Sequence, residues 1–172
     1  MSLAIVHSRA QVGVEAPAVT VEAHLANGLP ALTLVGLPEG AVKESKDRVR
    51  SAILNSGLKF PDRRITLNLA PADLPKYGGR FDLAIALGLL AANGQVPLTA
   101  LQDVECLGEL ALSGAIRPIQ GLGGLARANP SKTPEIVEDL ACMLLFQQMY
   151  VVAMPKYALG NSSFHSIASG AY

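Results

Sequence analysis

No charge of one sign prevails in this chain: of its 172 residues, 14 are Lys or Arg and 14 are Asp or Glu. No global field therefore draws it to nucleic acid or to an anionic membrane, and any such binding must come from a local patch. Cysteine is scarce as well. Cys106 and Cys142 stand far apart, without a CxxC pair or a histidine-rich neighbourhood, which argues against a zinc site or a disulfide framework and fits a reducing cytoplasm. No stretch reaches the roughly 18 consecutive apolar residues of a membrane span. The longest candidate, residues 140–154, is interrupted by Gln147 and Gln148. The N-terminus turns polar after Val6, too soon for a secretory signal. A Gly-Lys dipeptide is missing too, and with it the GxxxxGK[ST] loop that cradles nucleotide phosphates. There is no internal repeat and no low-complexity tract.

What is present is apolar and patterned. Half of the residues are hydrophobic, enough to bury the core of one domain, or of one domain with an appendage. Three β-rich runs, at about 3–12, 18–26 and 31–36, are separated by Gly/Pro or Asn-Gly turn signals, and their closeness predicts an antiparallel meander. In the second, Val19, Val21, Ala23 and Leu25 alternate with Thr20, Glu22, His24 and Ala26, so one face is buried and His24 faces solvent. The period then changes. From Glu39 to Asn55, Val42, Val49, Ala52 and Ile53 share one side and Lys43, Lys46 and Arg50 another, which predicts an amphipathic surface helix started by Pro38 and stopped by "NSG". Glu39 with Lys43 and Glu44 with Arg48 are i, i+4 pairs in the favourable order.

"RRITLNLAP" (63–71) reads as a further strand with Ile65, Leu67 and Leu69 on one face. The helix after Gly79 is apolar nearly all round from Leu83 to Ala92, so it is buried on more than one side. "VECLGELALSGAIRPIQG" (104–121) reads as two strands joined at Ser113 and Gly114. That order predicts an α+β protein, an α/β sandwich with helices covering a mixed sheet. Beyond Gly121, "GLGGLARANPSKTP" reads as a loop, a helix can start at Glu135, and "GNSSFHSIASGAY" is a polar tail prone to fraying.

Candidate chemistry centres on "YGGRFD" (77–82). Two glycines at a helix start leave backbone donors for an anion, with Arg80 to hold it, and the same residues serve equally as a tight structural turn at Gly78 and Gly79. Asp82 is explained by the helix dipole and backbone capping. "GLGGL" has the wrong spacing for a dinucleotide fingerprint. His7, His24 and His165 have no nucleophile motif beside them. From Lys43 to Arg64 seven basic residues stand against three acidic ones. This stripe could contact phosphates, although Phe60 is its only aromatic and a solvated helix face accounts for it equally.

The run "SLAIVHSRAQVGVEAPAVTVEAHLANGLPALTLVGLPEGAVKESKDRVRSAILNSG", then "RRITLNLAPADLPKYGGRFDLAIALGLLA" and "LGELALSGAIRPIQG", closely resembles the N-terminal domain of the YifB/ComM family, the magnesium-chelatase-like AAA+ ATPases of bacteria. The resemblance covers about residues 2–121, so 1–121 are expected to form the domain and 122–172 a divergent C-terminal segment. It implies a ribosomal protein S5 domain 2-like fold similar to the Lon proteolytic domain. It also implies membership of hexameric rings tied to DNA branch migration and natural transformation.

In Lon-type peptidases the serine lies in a GPSAG-like turn that opens the buried helix, and the lysine base follows a GE…G…PIGG strand pair. Here the turn is Gly78, Gly79, Arg80, Phe81, Asp82, and no lysine occurs between Tyr77 and Ser131. The expectation is a peptidase-like scaffold that is no enzyme, with no cofactor and no metal of its own, in the cytoplasm and off the membrane. Its partners are expected to be an AAA+ module or further copies of itself, and DNA only weakly. Its candidate contact residues are Lys43, Lys46, Arg50, Arg63, Arg64 and Arg80. A divergent serine peptidase and a magnesium-chelatase-related subunit fragment are the alternatives. The departure from the family after Gly121 is expected to reflect a disrupted reading frame or a truncation.

Overall fold

The computed structural model describes residues 2–36, 40–102, 104–117, 119 and 154–155. Strands β1 (Ser2–Arg9) and β2 (Ala18–Ala26) form an antiparallel hairpin, Ser2 opposite Leu25 and Arg9 opposite Ala18. Their alternation sends Ala4, Val6, Val19, Val21, Ala23 and Leu25 into the core. The opposite face keeps Leu3 and Ile5 exposed and His24 half-buried.

The expected meander stops at that hairpin. Strand β3 (Ala31–Val35) does not pair with β2; it runs parallel to β4 (Arg64–Ala70), Leu32 opposite Ile65. β4 lies between them, antiparallel to β2 with Leu67 opposite Ala23. The reason is burial: Ile65, Leu67 and Leu69 of β4 are wholly buried, whereas β3 has only half-buried Leu32 and Leu34 to offer and takes the edge. A parallel pair needs a long crossover, and helix α1 (Gly40–Asn55) supplies it.

With β5 at Val104–Glu105 and β8 at Met154–Pro155, the six-stranded mixed sheet has the order β3-β4-β2-β1-β5-β8. β5 is parallel to β1, and β8 is antiparallel to β5. The expected strand pair at 104–121 is three short strands: β5 joins the main sheet, and β6 (Glu109–Leu110) and β7 (Ile116–Arg117) form a separate hairpin through the Ser113-Gly114 turn. Helix α2 (Asp82–Ala92) packs on β1 and β2, and α1 packs on α2.

Every residue of α2 is buried, as its unbroken apolar run requires. In α1, Val49, Ala52 and Ile53 are buried while Glu44, Asp47 and Arg50 are exposed. Both helices end in paired backbone bonds around a left-handed glycine, Leu58 N–H to Ile53 C=O across Gly57 and Gln95 N–H to Leu90 C=O across Gly94. Among the described residues the result is an α+β arrangement, a mixed sheet with two α-helices. No described helix is long and apolar enough to cross a membrane. Glu39 and its pairing with Lys43, the Lys43 side chain, the "GLGGL" loop, the helix from Glu135, Cys142, His165 and the tail lie outside the described residues.

Candidate functional site

The loop after β4 leads into the glycine pair. Gly78 has φ +69°, where side chains are strained, and a Cβ on Gly79 would meet the Glu109 side chain of β6 within 2.6 Å. Residues Gly79–Phe81 make one turn of 3-10 helix before α2. A helix start of this kind attracts an anion through unpaired donors. Two amides near this start are used within the chain: Leu83 N–H donates to the Gly108 carbonyl (3.1 Å) and Asp82 N–H to that of Gly79. Arg80, where a nucleophile would stand in the Lon pattern, donates to Gln11 Oε1 (2.8 Å), and Gly108 N–H donates to its carbonyl. Burial pulls the Arg80 pKa down.

Asp82 does more than cap. Its side chain is fully buried, and Arg48 of α1 reaches it with Nε on Oδ2 at 2.9 Å and Nη2 on Oδ1 at 3.3 Å. Leu110 N–H of β6 adds a third bond to Oδ2 (3.2 Å). One carboxylate thus ties α1, α2 and the small hairpin together. Burial raises the Asp82 pKa; Arg48 and the Leu110 amide pull it back, and Asp82 in turn raises that of Arg48. The expected surface pair of Arg48 with Glu44 is therefore corrected: Arg48 points inward, because a buried carboxylate in an otherwise apolar helix requires a cation. Glu44 acts on it only at longer range.

Lys76 is a buried cation in the loop before the glycine turn. It has no solvent exposure, and its Nζ donates to the carbonyls of Pro71 (2.6 Å), Leu74 (2.9 Å) and Gly36 (3.2 Å). All three ammonium donors are thereby used, pinning the end of β3 to the loop that carries the glycine turn. Burial lowers its pKa, and Asp73 offsets this in part. Arg9 and Glu105 form a further paired site, bidentate at 2.7 and 2.9 Å. Cys106 beside it is buried and its thiol is pushed up to about 12, so it is no nucleophile.

The remaining candidates separate. Lys46, Arg50 and Arg63 line one groove of about 310 Å³ between α1, the start of β3 and the 60–63 loop, together with Asp47, Asp62, Phe60 and Pro30. The Arg50 guanidinium sits over the Phe60 ring, 4.7 Å from its centroid. Arg64 is exposed at the start of β4 outside the groove lining, and Arg80 is elsewhere, at the glycine turn. The helix start and the groove are thus two sites, not one basic patch.

Sequence reasoning missed Lys76 and the inward turn of Arg48. A signal existed for the second: Asp82 is the one charge in the run from Phe81 to Ala92, and acids are almost never buried unpaired. Among the described residues no three His, Cys, Asp or Glu side chains cluster to hold a metal ion.

Residues 21–136 match the family model described as subunit ChlI of Mg-chelatase, a match that runs past residue 121. Over 121 residues the chain is 63% identical to the uncharacterized protein YifB of Salmonella typhimurium, covering 70% of this chain and 24% of that protein. The Escherichia coli protein YifB is 61% identical over the same shares. Competence protein ComM of Haemophilus influenzae is 56% identical over 138 residues, 80% of this chain and 27% of that one. The chain spans about a quarter of the length of these curated relatives. With the ChlI model matching well over half of it and YifB and ComM so similar to it, the chain belongs to the Mg-chelatase ChlI family, as the N-terminal domain of the YifB/ComM kind.

Proposed function

We propose that this chain is a non-catalytic accessory and assembly domain of a magnesium-chelatase-like AAA+ ATPase, built on a Lon-like, S5 domain 2-like scaffold and working in the cytoplasm in DNA branch migration during competence. The observation that carries the non-catalytic part is the state of the glycine turn. A serine peptidase needs a hydroxyl beside a base that can take its proton. At this turn the corresponding position is Arg80, bonded to Gln11. The neighbouring lysine, Lys76, has its three donors on backbone carbonyls rather than on a hydroxyl.

ATP is not assigned to this chain either. The sequence has no Gly-Lys phosphate loop, and two amides near the start of α2, those of Leu83 and Asp82, are taken by Gly108 and Gly79. Protein partners suit the exposed groove, whose lining mixes Asp47 and Asp62 with the three cations and with apolar Phe60, Pro30 and Leu32.

A fluorogenic peptide assay with active-site serine labelling tests the reading. The expected result is neither cleavage nor labelling. Cleavage that disappears in Ser113→Ala would overturn it.

A further inference from the structure

Strand β3 ends the sheet, and among the described residues no strand pairs with its outer edge. Ala31 N–H donates inward to the Arg63 carbonyl. By strand alternation the N–H and C=O groups of Leu32 and Leu34 then point to the open side. Edges of this kind are normally blunted by a charged side chain, a proline or a bulge. The β3 segment, Ala-Leu-Thr-Leu-Val, has none of these, and Val35 is 41% exposed.

At the start of β3, Ala31 and Leu32 line the groove of Lys46, Arg50 and Arg63. None of these cations is ion-paired: the described salt bridges are Arg9 with Glu105, Arg48 with Asp82 and Arg117 with Glu109. Arg50 is held on Phe60, so one of the three cations is already positioned.

The geometry points to a docking surface in which an extended acidic polypeptide segment adds as a strand to the outer edge of β3 and places a carboxylate among Lys46, Arg50 and Arg63. Backbone bonds to Leu32 and Leu34 supply affinity in such a mode, and the side chain in the groove supplies selectivity. Charge decides the kind of segment: three unpaired cations outnumber Asp47 and Asp62. Nucleic acid has no peptide groups to complete a strand edge.

This deepens the assembly reading by naming the surface and the chemistry of the partner segment. It rests on that reading, yet the two fail separately: peptide cleavage would sink the non-catalytic role and leave the edge intact. The test uses the full chain and a short fluorescein-labelled peptide of alternating threonine and glutamate, followed by fluorescence anisotropy.

Binding is expected, with loss when the glutamates are replaced by lysine and a drop of about tenfold for Arg50→Glu. Methylating one alternate set of peptide amides should abolish binding and methylating the other set should not, because only one set faces the strand. No protein substitution enters that arm, so misfolding cannot imitate the result. The proposal is overturned by no peptide binding, by equal binding of both methylated peptides, by equal binding of the lysine peptide, or by sedimentation showing the edge consumed by a second copy that excludes the peptide. A double-stranded oligonucleotide bound through Arg50 in place of the peptide overturns it as well.

Discussion

The start of α2 and the open edge at β3 both carry basic side chains, and the chain treats them in opposite ways. At the helix start the charged side chains are engaged within the fold: Arg48 on buried Asp82, buried Lys76 on three carbonyls, and half-buried Arg80 on Gln11. At the groove Lys46, Arg50 and Arg63 face outward without ion pairs. A charge removed from water must be paired, whereas one left in water need not be. The first region is therefore committed to holding the fold, and the second is available for a partner. The site that the Lon resemblance singles out is the committed one.

Three substitutions sharpen that contrast. Arg48→Met should be the most damaging, because it leaves the Asp82 carboxylate buried and unpaired, a loss on the order of 3–5 kcal/mol. The sign of its pH dependence follows from burial, which holds the Asp82 pKa above its unfolded value. The stability of the variant should fall as pH rises through that raised pKa and recover as pH drops below it, because the protonated acid no longer needs the cation. Urea denaturation across the acid range measures this. A penalty that stays constant with pH would count against the pair.

Lys76→Met comes next. It strips donors from the carbonyls of Gly36, Pro71 and Leu74 and should cost about 1–3 kcal/mol in the same measurement. An unchanged midpoint would mean that those carbonyls find other donors and that the clamp is dispensable. Arg50→Glu should have the smallest effect on stability, leaving the urea midpoint where it was, since its guanidinium is exposed and carries no ion pair. A large loss there would erase the distinction between the two regions.

Particular elements show how far the sequence could be read. The period-2 runs of β2 and β4 and the apolar α2 were legible because alternation and continuous apolarity report burial directly. The partner of β3 was not. Its five residues look like those of any short apolar strand, and nothing local says that β4, which comes later in the chain, is buried more deeply and takes the place beside β2. The glycine turn was recognisable as a turn, and the missing hydroxyl could be read from Arg80. Lys76, one residue before Tyr77, carried no warning: an isolated lysine in a polar loop reads as solvated. The basic stripe was visible as composition, but its division was not, because Arg48 and Arg50 are two positions apart and a helix turns them to different surroundings.

By itself the sequence determined the elements, the apolar faces that had to be covered, the arginine where the glycine turn could have carried a hydroxyl, and the family. Those properties depend on residue type and on spacing along the chain. Only the tertiary structure decided which strand lies at the edge, which arginine turns inward and where three carbonyls converge on a lysine, since each depends on groups distant in sequence competing for the same buried space.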